Sequence, residues 1–248
     1  MESLLVILLV VSPVFSNDGK AVDQDSPVPM NIGVGGSSFD EEVESTYAKI
    51  RRLIWESRAK KQVRRISEAI ANRDPESAQK ELDTLVRECP ELKKQEPQAI
   101  EYHQGNINFW RGDFKGAYEQ FNNAIKTIEQ EYPNGLPRGD KYSDRNIFFM
   151  GQLYFSRGAT LLHQQKYEQA IQDFNKAMLV SQPRAYILVN KCRAFIRLKK
   201  YKEASDAFTA AYKVNAERTI GSDDSEEICT ILKKNGFQPQ PCLSKKPM

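Results

Sequence analysis

Four cysteines and two histidines are the residues through which this chain could form a covalent link, hold a metal ion or move a proton. Cys229 and Cys242 flank a short segment containing Asn235-Gly236-Phe237, Pro239 and Pro241. In an oxidising lumen they are placed to close a small disulfide loop. No pair of cysteines has the Cys-x2-Cys spacing of a zinc site. His103 and His163 have no carboxylate or cysteine at ligand spacing, so no metal site is expected. The chain carries no glycine-rich phosphate loop, no nucleophile elbow and no paired carboxylates at a telling spacing. The expectation is a protein without catalysis or cofactor, one that works by binding.

The elements that would position a binding surface repeat themselves. Between Arg157 and Ala177 the chain reads RGATLLHQQKYEQAIQDFNKA, and between Lys191 and Ala211 it reads KCRAFIRLKKYKEASDAFTAA. Tyr167, Ala170, Phe174 and Ala177 recur 34 residues later as Tyr201, Ala204, Phe208 and Ala211. Gly105, Phe114, Ala117, Phe121 and Ala124 stand at the same mutual offsets, as do Gly158 and Cys192 ahead of their own sets. A weaker copy spans about 59 to 92, where Ala78, Leu82 and Leu85 occupy the last three positions. A pattern that returns at such a period marks stacked supersecondary units. From Phe114 to Tyr167 the step is 53 residues, so about 19 are inserted near 130–148. Pro133-Asn134-Gly135 and Pro137-Arg138-Gly139 are turn formers, and they predict a loop there. Insertions in repeat proteins often fall on the binding face.

These units resemble the tetratricopeptide repeat, a helix-turn-helix of 34 residues. The family pattern asks for a small residue in the first helix, met by Gly105, Gly158 and Cys192. A large residue follows three later, met by Leu161 and Phe195 but not by Asn108. An aromatic near the turn and then Ala, aromatic and Ala in the second helix complete it. The resemblance covers roughly 59 to 217 and implies an all-α, right-handed superhelical solenoid of about four repeats. It also implies a concave groove lined by the first helices, which by position would present Tyr102, Asn106, Phe109, Phe155, Ala159, Val189, Asn190 and Arg193. Val63 and Ser67 would extend it, and Phe109 and Phe155 could equally be interhelical core. Such a groove suits an extended or helical peptide. The family's clamp for chaperone tails, built of Lys, Asn, Asn, Lys and Arg, is matched only at Asn106. The uses the resemblance implies are a secretory-pathway cochaperone or substrate-binding subunit, a scaffold bridging two proteins, or a proline-rich peptide module like that of prolyl hydroxylases.

Leu4 to Val11 is an unbroken apolar run, followed by Ser12-Pro13 and by Val14 and Ser16 at cleavage-site spacing, although no Lys or Arg precedes it. Residues 1–16 read as a secretory signal peptide with Asn17 as the mature start, too short for a stable membrane span. Residues 17–38, with Pro27, Pro29 and GVGGSS, read as a flexible linker. Ser38 can cap a helix over 39–58 that carries Val43, Tyr47, Ile50 and Ile54 on one face. The basic residues from Arg51 to Arg65 read as a solvated helix face, since only Trp55 is interleaved with them. A net charge of +3 asks for neither nucleic acid nor an anionic membrane. Cys89 and Cys192 fall in separate repeats, and Cys192 reads as a buried thiol. At the carboxyl end, Ser222 to Gly236 has acids first and lysines last, predicting a helix within 218–248 that shields the final repeat.

Overall fold

The computed structural model describes residues 57–136, 141–181, 183–220 and 225–243. The expected signal peptide, the linker and all but the last two residues of the 39–58 helix lie outside them. The described residues are helical and contain no strand. In chain order the helices are α1 (57–71), α2 (Pro75–Glu88), α3 (Pro90–Gln95), α4 (Pro97–Trp110), α5 (Phe114–Glu131) and α6 (Lys141–His163). They continue as α7 (Tyr167–Ser181), α8 (Ala185–Arg197), α9 (Tyr201–Val214), α10 (Ala216–Ile220) and α11 (Ser225–Lys234), followed by a 3-10 turn at Gln240–Cys242.

Four helix pairs, α1/α2, α4/α5, α6/α7 and α8/α9, close through one and the same turn. Arg73, Gly112, Gln165 and Lys199 each stand in the left-handed region, with φ of 56°, 81°, 62° and 57°. The residue after each donates its amide to the carbonyl five back, at 2.9 Å in every case: Asp74 to Ala69, Asp113 to Asn108, Lys166 to Leu161, Lys200 to Phe195. This closure consumes carbonyls that a helix end would leave orphaned. Asp74 and Asp113 then cap α2 and α5 by accepting from the amides of Ser77 and Gly116. Only Gly112 is free of the cost that a Cβ brings to this conformation. Gln165→Gly therefore raises stability by about 0.5 to 1 kcal/mol, readable as a higher urea midpoint at unchanged slope.

Packing follows from the repeated positions. Phe121, Phe174 and Phe208 are at most 1% exposed, and the alanines at 117, 124, 170, 177, 204 and 211 are fully buried. A Cβ on Gly105 would fall 2.6 Å from the Phe121 ring, and one on Gly158 would fall 2.8 Å from the Phe174 ring. The absent side chain is what lets each ring lie across the first helix of its pair. Sequence neighbours pack against each other along the chain: α2 on α4, α5 on α6, α7 on α8, with the first helices touching as α4 on α6 and α6 on α8. Ile228 and Leu232 of α11 join the core formed by Phe208 and Ala211 of α9.

Pro90 opens α3 at its first position, where its missing amide costs nothing. One feature differs from the sequence expectation. The insertion near 130–148 is not mainly a loop. α5 runs to Glu131 and α6 begins at Lys141, so much of the inserted chain lengthens the two helices, leaving α6 at 23 residues. The turn former Gly135 does stand at φ 86°. Residues 137–140, which hold Pro137-Arg138-Gly139, lie outside the described set.

Candidate functional site

A hollow rich in rings and amides is formed by α4, α6 and α8 together with the α1/α2 and α4/α5 turns, and measures about 670 Å3. Its wall is aromatic. Phe109 meets Trp110, Phe114 and His163 edge-on, with centroids 5.4, 5.5 and 5.1 Å apart. His163 stacks on Phe114 at 4.7 Å and 16°. Burial and the nearby Arg193 charge both lower the His163 pKa, so at neutral pH it offers a flat ring without charge. Phe155 leans on Tyr186 at 4.7 Å. Polar groups interrupt this wall at set points: Asn106 donates Nδ2 to the Tyr102 carbonyl at 2.8 Å, and Asn190 does the same to Tyr186 at 2.9 Å. Arg73 lies over the Trp110 ring at 5.2 Å. Each ring leaves apolar area for a ligand, and each amide can orient a peptide backbone.

Of the eight residues expected to line a groove, Asn106, Phe109, Phe155, Ala159, Asn190 and Arg193 line this hollow. Tyr102 and Val189 do not. Tyr102 packs between Phe121 and Phe149, with centroids at 6.1 and 5.3 Å, and burial raises its phenol pKa. Val189 is buried with Cys192 and Phe208. Both stand in the repeat register of Phe155, on the border between core and groove, where the neighbouring ring decides which way a side chain faces. Val63 likewise belongs to the core of α1 and α2. The sequence reading left out Arg73, Trp110, Phe114, Ser156 and His163, which also line the hollow. Trp110 and His163 share one register at the ends of α4 and α6, a signal available from the repeat alignment.

Cys229 and Cys242 form a disulfide, with Cα atoms 5.3 Å apart, that ties α11 to the terminal turn. Cys89 and Cys192 are free and buried, and burial pushes the Cys192 thiol up to about 12, leaving no reactive thiolate. His103 is buried on α4 with neither ring nitrogen hydrogen-bonded, and burial lowers its pKa to about 4. It therefore stays neutral in the folded chain.

A second hollow of about 660 Å3 lies between the ends of α5 and α7, the start of α6 and the 132–136 turn. Leu179 on its rim is 80% exposed. Tyr154 there donates to Glu129 at 3.0 Å, and burial together with that carboxylate raises its phenol pKa to about 12.

The fold also brings together two carboxylates that no spacing linked. Burial, then the Glu131 charge, raises Glu96 from 4.5 to about 7. The folded chain thus binds a proton on Glu96 that the unfolded chain releases above about 4.5, so this group's penalty is absent below 4.5 and complete above 7. Glu96→Gln should leave stability unchanged at pH 4 and raise it progressively through pH 7, checked by urea titrations of both chains at pH 4, 6 and 8. An equal gain at pH 4 and pH 8 would contradict it.

Comparison with protein-family models finds no match for this chain, and comparison with curated protein sequences finds none either.

Proposed function

We propose that this chain is a non-enzymatic protein- or peptide-binding module of tetratricopeptide type, a right-handed superhelical solenoid that works in the secretory pathway as a cochaperone-like or substrate-binding component. The observation that carries the reading is the aromatic and amide hollow on α4, α6 and α8. Equivalent positions of successive helices feed it, with Asn106, Ala159 and Arg193 in one register and Trp110 and His163 in another. A surface built from one face of consecutive units is how stacked repeats present a continuous binding site. The four identical turns support the repeat assignment, and the Cys229–Cys242 disulfide supports an oxidising compartment.

The test is binding of the full chain to an array of short peptides of varied hydrophobicity, charge and proline content. Trp110 is 38% exposed, so Trp110→Ala removes a groove anchor at little cost to the core. The variant should bind the preferred peptides at least about tenfold more weakly while keeping its urea midpoint. Unchanged binding would remove the groove from the account. A second reading, a scaffold bridging two proteins, is favoured by the separate apolar hollow beside Leu179. One tight folded partner retained by Trp110→Ala would favour it.

A further inference from the structure

We propose that the groove holds a large apolar or aromatic side chain against the uncharged ring of His163 and releases it when that ring takes up a proton. This rests on the groove reading above and adds to it the class of anchor and a means of release. The place of His163 in the lining carries it. Its ring lies flat on Phe114, with centroids 4.7 Å apart at 16°, and meets Phe109 edge-on at 5.1 Å. The residue is exposed nonetheless, so part of the imidazole stays open to a ligand. Trp110, Phe155 and Ala159 line the same hollow, and a side chain seated among them covers the imidazole together with the phenyl rings.

Nothing in the lining would hold the added proton. No carboxylate lines the hollow among the described residues. From α8 the charge of Arg193 acts on His163, and from the α1/α2 turn the lining includes Arg73, which lies over Trp110. The α4 and α5 helices contribute Asn106, Phe109, Trp110, Phe114 and Phe121, none of them charged. Asp113, next to Phe114, accepts from the Gly116 amide, and Lys166, just beyond α6, lies over the Tyr118 ring. Partial burial first, and then the Arg193 charge, already hold His163 below the ordinary histidine value of 6.5. A bound side chain excludes water from the ring and so removes solvation that the imidazolium needs. The occupied chain then takes up its proton at a lower pH than the empty one. By linkage, affinity is constant above the value of the empty chain and falls as pH drops below it.

The experiment titrates the full chain, by calorimetry between about pH 5 and about pH 8, with capped peptides of Ser and Gly around a central Phe, Leu or Ala. These peptides carry no group that titrates in the window, and His103, with its pKa at about 4, stays neutral throughout. Phe and Leu should bind at least about tenfold tighter than Ala. Kd for the Phe peptide should rise at least about threefold from the top of the window to the bottom. His163→Phe keeps a flat ring that takes no proton, so its Kd should hardly change with pH. Glu96, which also titrates in the window, lies outside the lining and is retained in that variant, which therefore isolates His163. A second measurement needs no variant. The chain has two histidines, so proton NMR follows the His163 imidazole directly. The saturating Phe peptide should lower its pKa by at least about half a unit, matching the rise in Kd. Equal acid weakening in wild type and His163→Phe, binding flat with pH in wild type, or a His163 titration that the peptide leaves in place would overturn release through this ring and leave the groove standing. A Phe peptide no tighter than the Ala peptide would overturn the anchor. No binding of any peptide at neutral pH, or binding indifferent to Trp110→Ala, would overturn the groove reading as well.

Discussion

Arg157→Met lowers the free energy of unfolding by about 3 to 5 kcal/mol, the largest effect expected of a single polar substitution among the described residues. The Arg157 and Asp173 side chains are only 12% and 6% exposed. Their contact is a fork: Nε to Oδ2 at 2.7 Å and Nη2 to Oδ1 at 2.8 Å, with Nη1 donating to Asn122 Oδ1 at 2.9 Å. One guanidinium thus joins α5, α6 and α7. The Tyr154 and Tyr118 rings flank it at 5.5 and 6.0 Å. Removing the arginine strands the Asp173 carboxylate in a site where water cannot replace the lost bonds, and that stranded charge dominates the cost. The double variant Arg157→Met/Asp173→Leu should recover most of the loss, because neither charge then stays buried. Urea unfolding of wild type, both single variants and the double variant gives the coupling directly. A single-variant loss below about 1 kcal/mol would mean the pair behaves as a surface bridge.

Loss of the Cys229–Cys242 bridge costs about 3 kcal/mol, the value expected for closing a loop of about 15 residues. Its two ends are 13 residues apart in sequence. The bond fastens α11 to the Gln240–Cys242 turn, and that turn packs on α9 and α10. Without it α11 is held mainly by Ile228 and Leu232 against the α9 core. Reduction, or Cys229→Ala with Cys242→Ala, should lower the unfolding midpoint and open amide exchange first in 225–243. An undiminished midpoint would show that apolar burial alone secures the cap. Intact mass of the natively produced protein bears on the compartment: a start at Asn17 and a gain of two hydrogens on reduction fit the secretory reading.

The helix pairs were legible because their contact residues are constrained twice. Phe174 needs a small residue opposite it, and Gly158 supplies the gap, so both leave a mark at a fixed offset. Turn chemistry left little trace. Gln165 and Lys199 adopt φ near 60° although neither type favours it, and of the four turns only that at Gly112 carries the residue this conformation favours. The long α6 was hidden by Pro133, Gly135, Pro137 and Gly139, which signal a loop without saying how soon the next helix starts. The Arg157–Asp173 pair left only a faint mark. Arg65 and Glu81 occupy the same register in α1 and α2 and pair at 3.8 Å, but Gln104 and Lys191 replace Arg157, and Gln120 and Ala207 replace Asp173, in the two pairs whose pattern is clearest. At the hollow, the repeat register brings Asn106, Phe109, Phe155, Ala159, Asn190 and Arg193 to one face of α4, α6 and α8, but it does not give the tilt at the border of that face. Tyr102 turned to the core there and Phe155 to the hollow.

On the proposed function, the first helices of successive pairs act together as one peptide-binding surface. Amide hydrogen exchange of the full chain, with and without a saturating peptide from the array, reads this out helix by helix. Added protection is expected in α4, α6 and α8 and at the α1/α2 turn around Arg73, with α5, α7 and α9 little changed. Protection confined to the α5 and α7 ends around Leu179, with α4, α6 and α8 unaltered, would contradict it.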